Sequence, residues 1–376
     1  MTRIALSDFR GYARLALQAG PEPVVLTGPN GAGKTNLLEA LSFLAPGRGL
    51  RGARLCEATR HGAAPGAGWA VAATLAGAHG ATELGTGLRP AEGDGAPGDR
   101  RVVRVDGKAA GGAAALARAL GVLWLTPAMD RLFQDGAPAR RRFLDRIVFG
   151  HDPGHAGRLA AYERALRERA RLLRDGRRDP AWLGALEGSM ARHGVAVAAS
   201  RREVAGRLDA ALAARRGPFP AARLAVTGTL ESALDAMPAV AAEEAFAASL
   251  AAGRARDAET GGAAEGPHRS DLAVSQAATG TPAALCSTGE QKTLLIAVVL
   301  AHARLAAAGP AGAPVLLLDD VTAHLDERHR AALFEALLEL GAQAWLTGTD
   351  RAPFARLARR ARFLAVADAR VRDDDA

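Results

Sequence analysis

The chain has 376 residues, of which 49% are hydrophobic and 4% aromatic, and its net charge is +8. This length allows a large core and a division into two or more units, and the shortage of aromatics leaves that core to Leu, Val and Ala. The basic balance suits a polyanionic partner such as nucleic acid.

Several protein classes are excluded by features that the sequence lacks. The two cysteines, Cys56 and Cys286, form neither a disulfide framework nor a metal-ligand spacing, which favours a reducing compartment. The first ten residues lack the apolar core of a signal peptide, and the longest strongly apolar stretch, residues 294–301, is too short to cross a bilayer. We therefore expect a soluble, cytoplasmic protein without a membrane partner.

The first third of the chain reads as strands and loops. Residues 4–6 and 15–17 have the apolar pattern of strands on either side of a turn at Gly11, and residues 24–26 form an apolar run. Further short strands are predicted at residues 69–75, 102–105 and 122–125.

A phosphate-binding loop follows the strand at residues 24–26. Residues 28–35 fit Gly-x-x-x-x-Gly-Lys-[Ser/Thr], and a helical pattern follows at residues 37–41. The glycines let backbone N–H groups turn inward around a polyphosphate, and the start of the helix adds the positive end of its dipole. We expect Lys34 to reach the β- and γ-phosphates of ATP and Thr35 to place a hydroxyl on Mg²⁺. The predicted binding residues are Gly28, Pro29, Asn30, Gly31, Ala32, Gly33, Lys34 and Thr35.

The middle of the chain is predicted to be helical, from about residue 138 to 215. Residues 136–179 contain twelve Arg and six Asp or Glu, a local balance of +6 out of the chain's +8. A solvated helix face also explains any single arginine here. As a group, these arginines are the best candidate for a surface that faces DNA, because phosphate binding needs many cations on one side. Residues 250–285 read as loop-rich.

Two adjacent carboxylates follow a strand predicted at residues 315–318. A strand of a parallel sheet delivers the residues beyond its carboxyl end to the ligand edge. We therefore expect Asp319 to hold Mg²⁺ and Asp320 to orient or deprotonate the attacking water, with Lys34 as the third catalytic residue. The alternative role for either acid is to cap the next helix.

A second anion-binding motif precedes this strand, at the start of a helix predicted over residues 289–305. It resembles the Leu-Ser-Gly-Gly-Gln signature of the ABC-type ATPases: Ser287 and Gly289 match, whereas Cys286, Thr288 and Glu290 depart. In that superfamily the signature meets the γ-phosphate held by the opposite subunit, so the resemblance implies ATP binding at Ser287, Thr288, Gly289 and Glu290. Ser-Thr-Gly-Glu is also an ordinary helix cap with a capping glutamate.

Two further positions bear on hydrolysis. Leu325 and Asp326 resemble the D-loop of the same superfamily. Its switch histidine is absent, since Leu346 is followed by Thr-Gly-Thr-Asp, and its usual catalytic glutamate is replaced by the shorter Asp320. Because positioning dominates phosphoryl transfer, we expect slow, switch-like hydrolysis.

Four strings resemble the RecF family of bacterial recombinational-repair ATPases. Phe-Arg-Gly-Tyr at residues 9–12 resembles its opening segment, residues 28–41 its phosphate loop, and residues 130–146 the start of its second lobe. Residues 266–272, Gly-Pro-His-Arg-Ser-Asp-Leu, match a string typical of the family. The resemblance covers nearly the whole chain except residues 75–115. The residues themselves assign no role to His268 or Arg269.

The resemblance implies an α/β fold with an ABC-type P-loop ATPase head built from both chain termini and an inserted α-helical lobe. Residues 1–135 and 266–376 would form the head, and residues 136–265 the inserted lobe. It also implies ATP-dependent homodimerisation on DNA, at duplex or single-strand/duplex junctions, and cooperation with RecR and RecO in loading RecA recombinase at gaps.

Three other functions are weighed against this one. The motor subunit of a membrane transporter would carry the same ATP motifs and require a membrane partner. A structural protein like the SMC (structural maintenance of chromosomes) proteins would require long coiled-coil arms, for which the chain is too short. A small-molecule kinase would work as a monomer with an acceptor pocket.

Overall fold

The computed structural model describes residues 1–77, 80–90, 101–176, 179–214, 217–309 and 312–374. Within these ranges the strands are, in chain order, β1 (Arg3–Phe9), β2 (Tyr12–Gln18), β3 (Val24–Thr27), β4 (Trp69–Gly77), β5 (Gly80–Leu88), β6 (Arg101–Val105), β7 (Lys108–Ala109), β8 (Val122–Leu125), β9 (Ala222–Thr227), β10 (Asp271–Gln276), β11 (Val315–Leu318), β12 (Ala344–Gly348), β13 (Arg362–Ala367) and β14 (Arg370–Asp373). The α-helices are α1 (Lys34–Ser42), α2 (Ala114–Ala119), α3 (Ala137–Phe149), α4 (His155–Arg174), α5 (Pro180–Ala213), α6 (Thr229–Ala236), α7 (Ala239–Ala252), α8 (Arg254–Thr260), α9 (Thr288–Ala307) and α10 (Glu327–Leu340).

Contacts between Cα atoms divide the chain into two compact units. Unit 1 comprises Met1–Asp130, Arg216–Phe219 and Leu295–Ala376, and unit 2 comprises Arg131–Arg215 and Pro220–Leu294. The predicted boundaries place residues 266–294 in the head, whereas these contacts group them with unit 2. The physical reason is strand pairing, because β10 forms a two-stranded antiparallel ribbon with β9.

A mixed sheet of unit 1 positions the nucleotide motifs. Its strand order is β14-β13-β3-β12-β11-β8, and all neighbours are parallel except the edge strand β14. Every residue of β3, β8, β11 and β12 is buried, as expected for a parallel sheet that is covered on both faces. The register pairs Leu318 with Leu346, and Leu346 with Val25, so the residues beyond them emerge at one edge of the sheet.

An antiparallel sheet with the order β2-β1-β4-β5-β6-β7 also belongs to unit 1. Phe9, Phe43 and Trp69 form an aromatic cluster in its core, with ring centroids 4.8–5.7 Å apart. The indole N–H of Trp69 donates to the carbonyl of Leu55 at 2.7 Å, so the buried polar atom of the cluster has a partner. Such edge-to-face rings contribute beyond their buried area, which suits a chain with so few aromatics.

Unit 2 is largely helical and contains a buried ion-pair network. Arg169 on α4 is 1% exposed and donates to Glu187 at 2.9 Å, to Asp257 at 2.8 Å and to the Leu250 carbonyl at 2.6 Å. Two carboxylates and one carbonyl thus satisfy the guanidinium, as a buried charge requires. The network ties α4, α5, α7 and α8 together.

The predicted strands at residues 4–6, 15–17, 24–26, 69–75, 102–105, 122–125 and 315–318 and the helix at residues 289–305 are confirmed. The loop-rich interpretation of residues 250–285 is wrong in part, since they contain α8 and β10. The strands β5 and β9 were not predicted either. β5 contains five Gly and Thr residues among nine, and β9 pairs with a strand that lies far along the chain. Among the described residues, no helix combines the length and apolarity that a bilayer crossing requires.

Candidate nucleotide site

The phosphate loop connects β3 to α1, in the strand–loop–helix order that the motif requires. Gly28 and Gly33 have φ angles of 146° and 113°. A Cβ on Gly28 would lie 2.1 Å from the carbonyl oxygen of Val366, and one on Gly33 would lie 3.0 Å from the hydroxyl of Tyr12. Both positions therefore need glycine for backbone conformation and for space.

Lys34 is the only cation of the loop and is 6% exposed. Its ammonium donates to the carbonyl oxygens of Gly28 at 2.6 Å and Pro29 at 2.9 Å. These two bonds hold the ammonium group against the backbone of residues 28–29, within the loop where it is expected to contact phosphate.

Thr35 and Asp319 meet where β3 and β11 end. The Thr35 hydroxyl donates to Asp319 Oδ1 at 3.0 Å, and the Asp319 backbone N–H donates to the Leu125 carbonyl at 2.9 Å. Burial raises the pKa of Asp319 above its ordinary value of 3.8, while hydrogen bonds from Thr347 and Thr35 act in the opposite direction. A cation beside this carboxylate would favour its charged form.

The donor atoms fit magnesium. A hydroxyl and a carboxylate oxygen are hard ligands, and Mg²⁺ commonly takes only one or two protein ligands together with phosphate oxygens and water. No group of three or more His, Cys, Asp or Glu in the described part of the chain forms a metal cage. Thr35 and Asp319 therefore suit a metal ion that arrives with a nucleotide.

Thr347 is a site residue whose role the sequence did not reveal. It is fully buried at the end of β12, and its hydroxyl donates to Asp319 Oδ1 at 2.8 Å. The Thr347 hydroxyl oxygen also accepts the backbone N–H of Asp320 at 2.8 Å. The signal that could have located it is register, because Leu346 pairs with Leu318 and the next residues on both strands are therefore neighbours.

Asp320 has a left-handed backbone with φ of 45°, which is uncommon for a residue with a side chain. Its Oδ1 lies 3.5 Å from the Thr347 hydroxyl, and its side chain is half-buried. The bond from its N–H to Thr347 fixes this turn, so the second carboxylate follows the strand in a defined conformation.

The signature residues start α9 and are all exposed. Glu290 Oε2 accepts from both the backbone N–H and the hydroxyl of Ser287, each at 2.8 Å, and the N–H of Glu290 lies 3.4 Å from the Ser287 hydroxyl. These bonds, led by the hydroxyl, lower the pKa of Glu290. This is the capping box expected for Ser-x-x-Glu. A Cβ on Gly289 would meet nothing within 4 Å, so packing within the described chain does not require glycine there.

The D-loop-like pair lies just before α10. Asp326 caps this helix by accepting from the backbone N–H of His329 at 2.8 Å and lies 2.9 Å from its ring Nδ1. Leu325 is buried. The Asp326 carboxylate is thus committed to the helix end, as its position before a helix predicts.

The string at residues 266–272 has a structural role in unit 2. Gly266 has φ of 128°, and a Cβ there would lie 2.4 Å from the hydroxyl of Tyr162. His268 Nε2 lies 3.0 Å from the carbonyl oxygen of Ala263, which can only accept, so this nitrogen carries the proton. Nδ1 then accepts from the Tyr162 hydroxyl at 2.6 Å. Burial lowers the pKa of His268 below its ordinary 6.5, which agrees with a neutral ring.

Three arginines from α3 and α5 hold the rest of this string. The bonds are Arg201 Nη1 to the Pro267 carbonyl (2.5 Å), Arg141 Nη1 to the Ser270 carbonyl (2.6 Å), and Arg140 Nε and Nη2 to the two Asp271 carboxylate oxygens (2.8 Å each). Arg140, Arg141 and Arg169 therefore serve internal contacts, and the grouped interpretation of residues 136–179 as a surface is wrong for these three. The exposed arginines among the described residues of that segment include Arg142, Arg164, Arg167, Arg171 and Arg174.

Comparison with protein families and solved structures supports this arrangement. Residues 24–84 match the model of the family described as AAA domain, putative AbiEii toxin, Type IV TA system. The fold is similar to that of a solved structure of the recombination mediator protein RecF-ATPrS in the RecFOR pathway, with a TM-score of 0.81 at 20% identity over 99% of this chain and 97% of the other. It also resembles the Smc head domain from Pyrococcus furiosus, with a TM-score of 0.55 at 15% identity over 99% and 94%. The expected ABC-type ATPase fold with a helical insertion is thereby confirmed.

Sequence relatives match the chain over its whole length. It is 50% identical over 369 residues to the DNA replication and repair protein RecF of Mesorhizobium japonicum, covering 97% of this chain and 96% of that protein. It is also 50% identical over 373 residues to the DNA replication and repair protein RecF of Rhizobium meliloti, covering 99% and 98%. From this identity and coverage it follows that the chain belongs to the RecF family of DNA replication and repair proteins.

Proposed function

We propose that this protein is an ATP-dependent DNA-binding protein of recombinational repair and replication restart, in which two protomers close around ATP. The observation that carries the proposal is the bond between Thr35 and Asp319, because it joins the phosphate loop to the strand end that would hold the metal. The sequence relatives, which are DNA replication and repair proteins, support the DNA part.

ATP would lie with its phosphates on the backbone of residues 28–35. Lys34 would exchange its bonds to two loop carbonyls for phosphate oxygens, and Thr35 and Asp319 would hold Mg²⁺. The bound metal would neutralise the charge that develops on the phosphates. Lys34, Thr35 and Asp319 serve mainly to bind and orient, since positioning supplies most of the catalysis in phosphoryl transfer.

Asp320 would orient the attacking water or accept its proton. Its carboxylate is one methylene shorter than the glutamate of related ATPases, and its backbone N–H is held by the Thr347 hydroxyl. We propose that hydrolysis is slow and acts as a switch, with turnover below about 10 per second in the absence of a partner, which is the middle of the usual enzyme range.

The second protomer would complete the site with its signature. Ser287, Gly289 and the start of α9 are exposed, and Leu285 just before them is 77% exposed although it is a large apolar residue. A helix N-terminus favours an anion through its free N–H groups and dipole. ATP would stabilise the dimer because its terminal phosphate contacts both protomers only in the closed state.

The two parts of the chain would have different roles in this mechanism. Unit 1 would act as the ATPase head, and unit 2 as the DNA-facing lobe that also carries the signature residues 287–290. We propose that the dimer works in the cytoplasm at single-strand/duplex junctions, where RecR, RecO and RecA recombinase join it. The transporter-motor alternative has no support from the relatives, which are DNA replication and repair proteins.

Sedimentation velocity tests the proposal directly. The full chain is run with and without ATP and Mg²⁺, and with and without gapped duplex DNA, beside Lys34→Ala and the control Lys108→Ala on the exposed strand β7. We expect wild type and Lys108→Ala to dimerise only with ATP, more strongly on DNA, and Lys34→Ala to stay monomeric. A wild-type protein that stays monomeric under all conditions would overturn the shared-nucleotide mechanism.

A further inference from the structure

Unit 2 contains an open cavity of about 490 Å³ that is separate from the nucleotide motifs. Three arginines of α4, Arg167, Arg171 and Arg174, line one wall, and Arg269 lies on the other. The spacing of four and then three residues places the three α4 side chains on one face of the helix. No Asp or Glu is among the lining residues, so the cavity is positively charged.

Arg174 and Arg269 make few side-chain contacts within the part of the chain that the structure describes. Arg174 is exposed and makes no hydrogen bond or ion pair with the residues that the structure describes. Arg269 is exposed, and its guanidinium reaches only the carbonyl oxygen of Ala263, at 3.4 Å from both Nε and Nη2. Both guanidinium groups therefore have donors to spare for an anion.

The other two arginines are paired at the surface. Arg167 lies 3.7 Å from Glu163, and Arg171 lies 2.7 Å from Glu168 on the same helix. These side chains are between one third and two thirds exposed, and surface pairs of this kind contribute little to stability. A phosphate can therefore compete for these two arginines at low cost.

The wall that carries Arg269 is held rigidly. Its backbone N–H donates to the Gly266 carbonyl at 2.8 Å, and the neighbouring His268 is held between Tyr162 and Ala263. Gly261, with φ of 82°, turns the chain at the end of α8 into this wall. A fixed wall loses little conformational entropy when a ligand binds, which favours a specific site over a mobile charged surface.

The cavity also has an apolar part, formed by Leu166, Ala170 and Ala263. A free phosphate ion gains nothing from contact with an apolar surface, whereas the sugars and bases that flank a phosphodiester can pack against it. The volume lies within the range of about 300–1,000 Å³ typical of small-ligand sites, so it can receive a short piece of strand. We infer that this cavity binds backbone phosphates of a DNA strand together with an adjoining nucleotide. This inference rests on the proposed DNA-binding function and locates one of its contacts.

Two double variants of equal charge test the inference. Arg174→Gln/Arg269→Gln removes both arginines with spare donors from the cavity. Arg3→Gln/Arg14→Gln removes two exposed arginines of unit 1, which lie outside the cavity and outside the lobe proposed to face DNA. The full chain, with ATP and Mg²⁺, is titrated with labelled gapped duplex DNA at several salt concentrations, and melting curves confirm that both variants are folded.

We expect the cavity variant to reduce the slope of log affinity against log salt by about 1.5, since each lost phosphate contact reduces it by about 0.7 to 0.9. The control variant should leave the slope close to that of wild type. Equal slopes in the two variants would overturn the inference while leaving the proposed function intact. A wild-type protein that binds no DNA would overturn both.

A parallel titration with inorganic phosphate at constant ionic strength separates the two sources of a phosphate group. We expect no binding of inorganic phosphate at millimolar concentration. Phosphate binding that is lost in the cavity variant, combined with unchanged DNA affinity, would reassign the cavity to a free anion and overturn the DNA assignment.

Discussion

The hydroxyl of Thr347 donates to Asp319 Oδ1 and accepts the backbone N–H of Asp320, with both distances at 2.8 Å. One buried side chain thus orients the proposed metal ligand and fixes the backbone of the proposed catalytic acid. The register of β11 and β12 brings these residues together, because Leu318 and Leu346 are paired neighbours.

Thr347→Val is expected to slow ATP hydrolysis while preserving ATP binding. Valine has nearly the same shape as threonine but leaves the Asp320 N–H without its acceptor, which costs about 1–3 kcal/mol when such a group is buried. Turnover number and nucleotide affinity should be measured separately. Thr347→Ser is the control, because it retains the hydroxyl, and it should recover most of the activity. If Thr347→Val hydrolyses ATP as fast as Thr347→Ser, the hydroxyl does not position the two carboxylates.

Ser287→Ala is expected to retain ATP binding and lose ATP-dependent dimerisation. The substitution also removes part of the capping box with Glu290, so melting should reveal a loss of about 1 kcal/mol. Ser232→Ala, an exposed serine on α6, is the matched control. Sedimentation with ATP decides the question: a Ser287→Ala protein that dimerises normally would contradict the shared site.

Arg169→Ala is expected to destabilise unit 2 strongly, by about 3–5 kcal/mol. The substitution removes one of the two arginine partners of Glu187. It leaves Asp257 with only a 3.3 Å contact to exposed Arg256. Both carboxylates are almost fully buried, so the loss of a partner is costly. Arg167→Ala, two residues earlier on the exposed face of α4, should change stability by less than about 1 kcal/mol. Chemical denaturation measures the free energy of unfolding of both variants. Comparable losses in the two would contradict the expectation that the buried ion pairs contribute more to stability than the exposed one.

The stability of the protein is expected to fall as the pH drops from about 7.5 to about 5.5, in part because of His268. Burial, with help from nearby arginines, lowers its pKa below the ordinary 6.5 in the native state. His268 therefore binds a proton near pH 6.5 in the unfolded chain, whereas in the native protein it binds one only at lower pH. The stabilisation is present above that pH and is lost as the pH falls towards the native pKa.

Melting temperatures of wild type and His268→Gln across this pH range isolate the effect. The variant should melt lower at pH 7.5, because it loses the bonds to Tyr162 and Ala263, and the gap should narrow at lower pH. His61→Gln, at an exposed histidine, should follow wild type. A gap that stays constant with pH would show that His268 does not titrate differently in the two states.

The sequence motifs could predict the candidate nucleotide site because their geometry is local. The phosphate loop needs only a strand, eight residues and a helix, and α1 covers the helical pattern predicted at residues 37–41. The same holds for Asp319 and Asp320, which follow a short buried strand. The roles assigned to these residues in binding and hydrolysis stay predictions.

The predictions that failed depend on contacts between residues that lie far apart in the chain. Arginine count indicated a charged lobe, but Arg169 is buried and Arg140 and Arg141 bond to the 266–272 string. Composition counts charges without showing which of them face solvent. The strands β9 and β10 were missed for a similar reason, because each is short and is stabilised by a partner far away in the chain.

The amino-acid order by itself determined the ATPase class and the family, and it predicted which residues would touch nucleotide, because each of those depends on a few consecutive residues. Only the tertiary structure decided that Thr347 contacts both acids, and that Arg174 and Arg269 line one cavity. Both outcomes arise when strands and helices distant in the chain pack side by side, and that packing sets which polar groups find partners and which remain available.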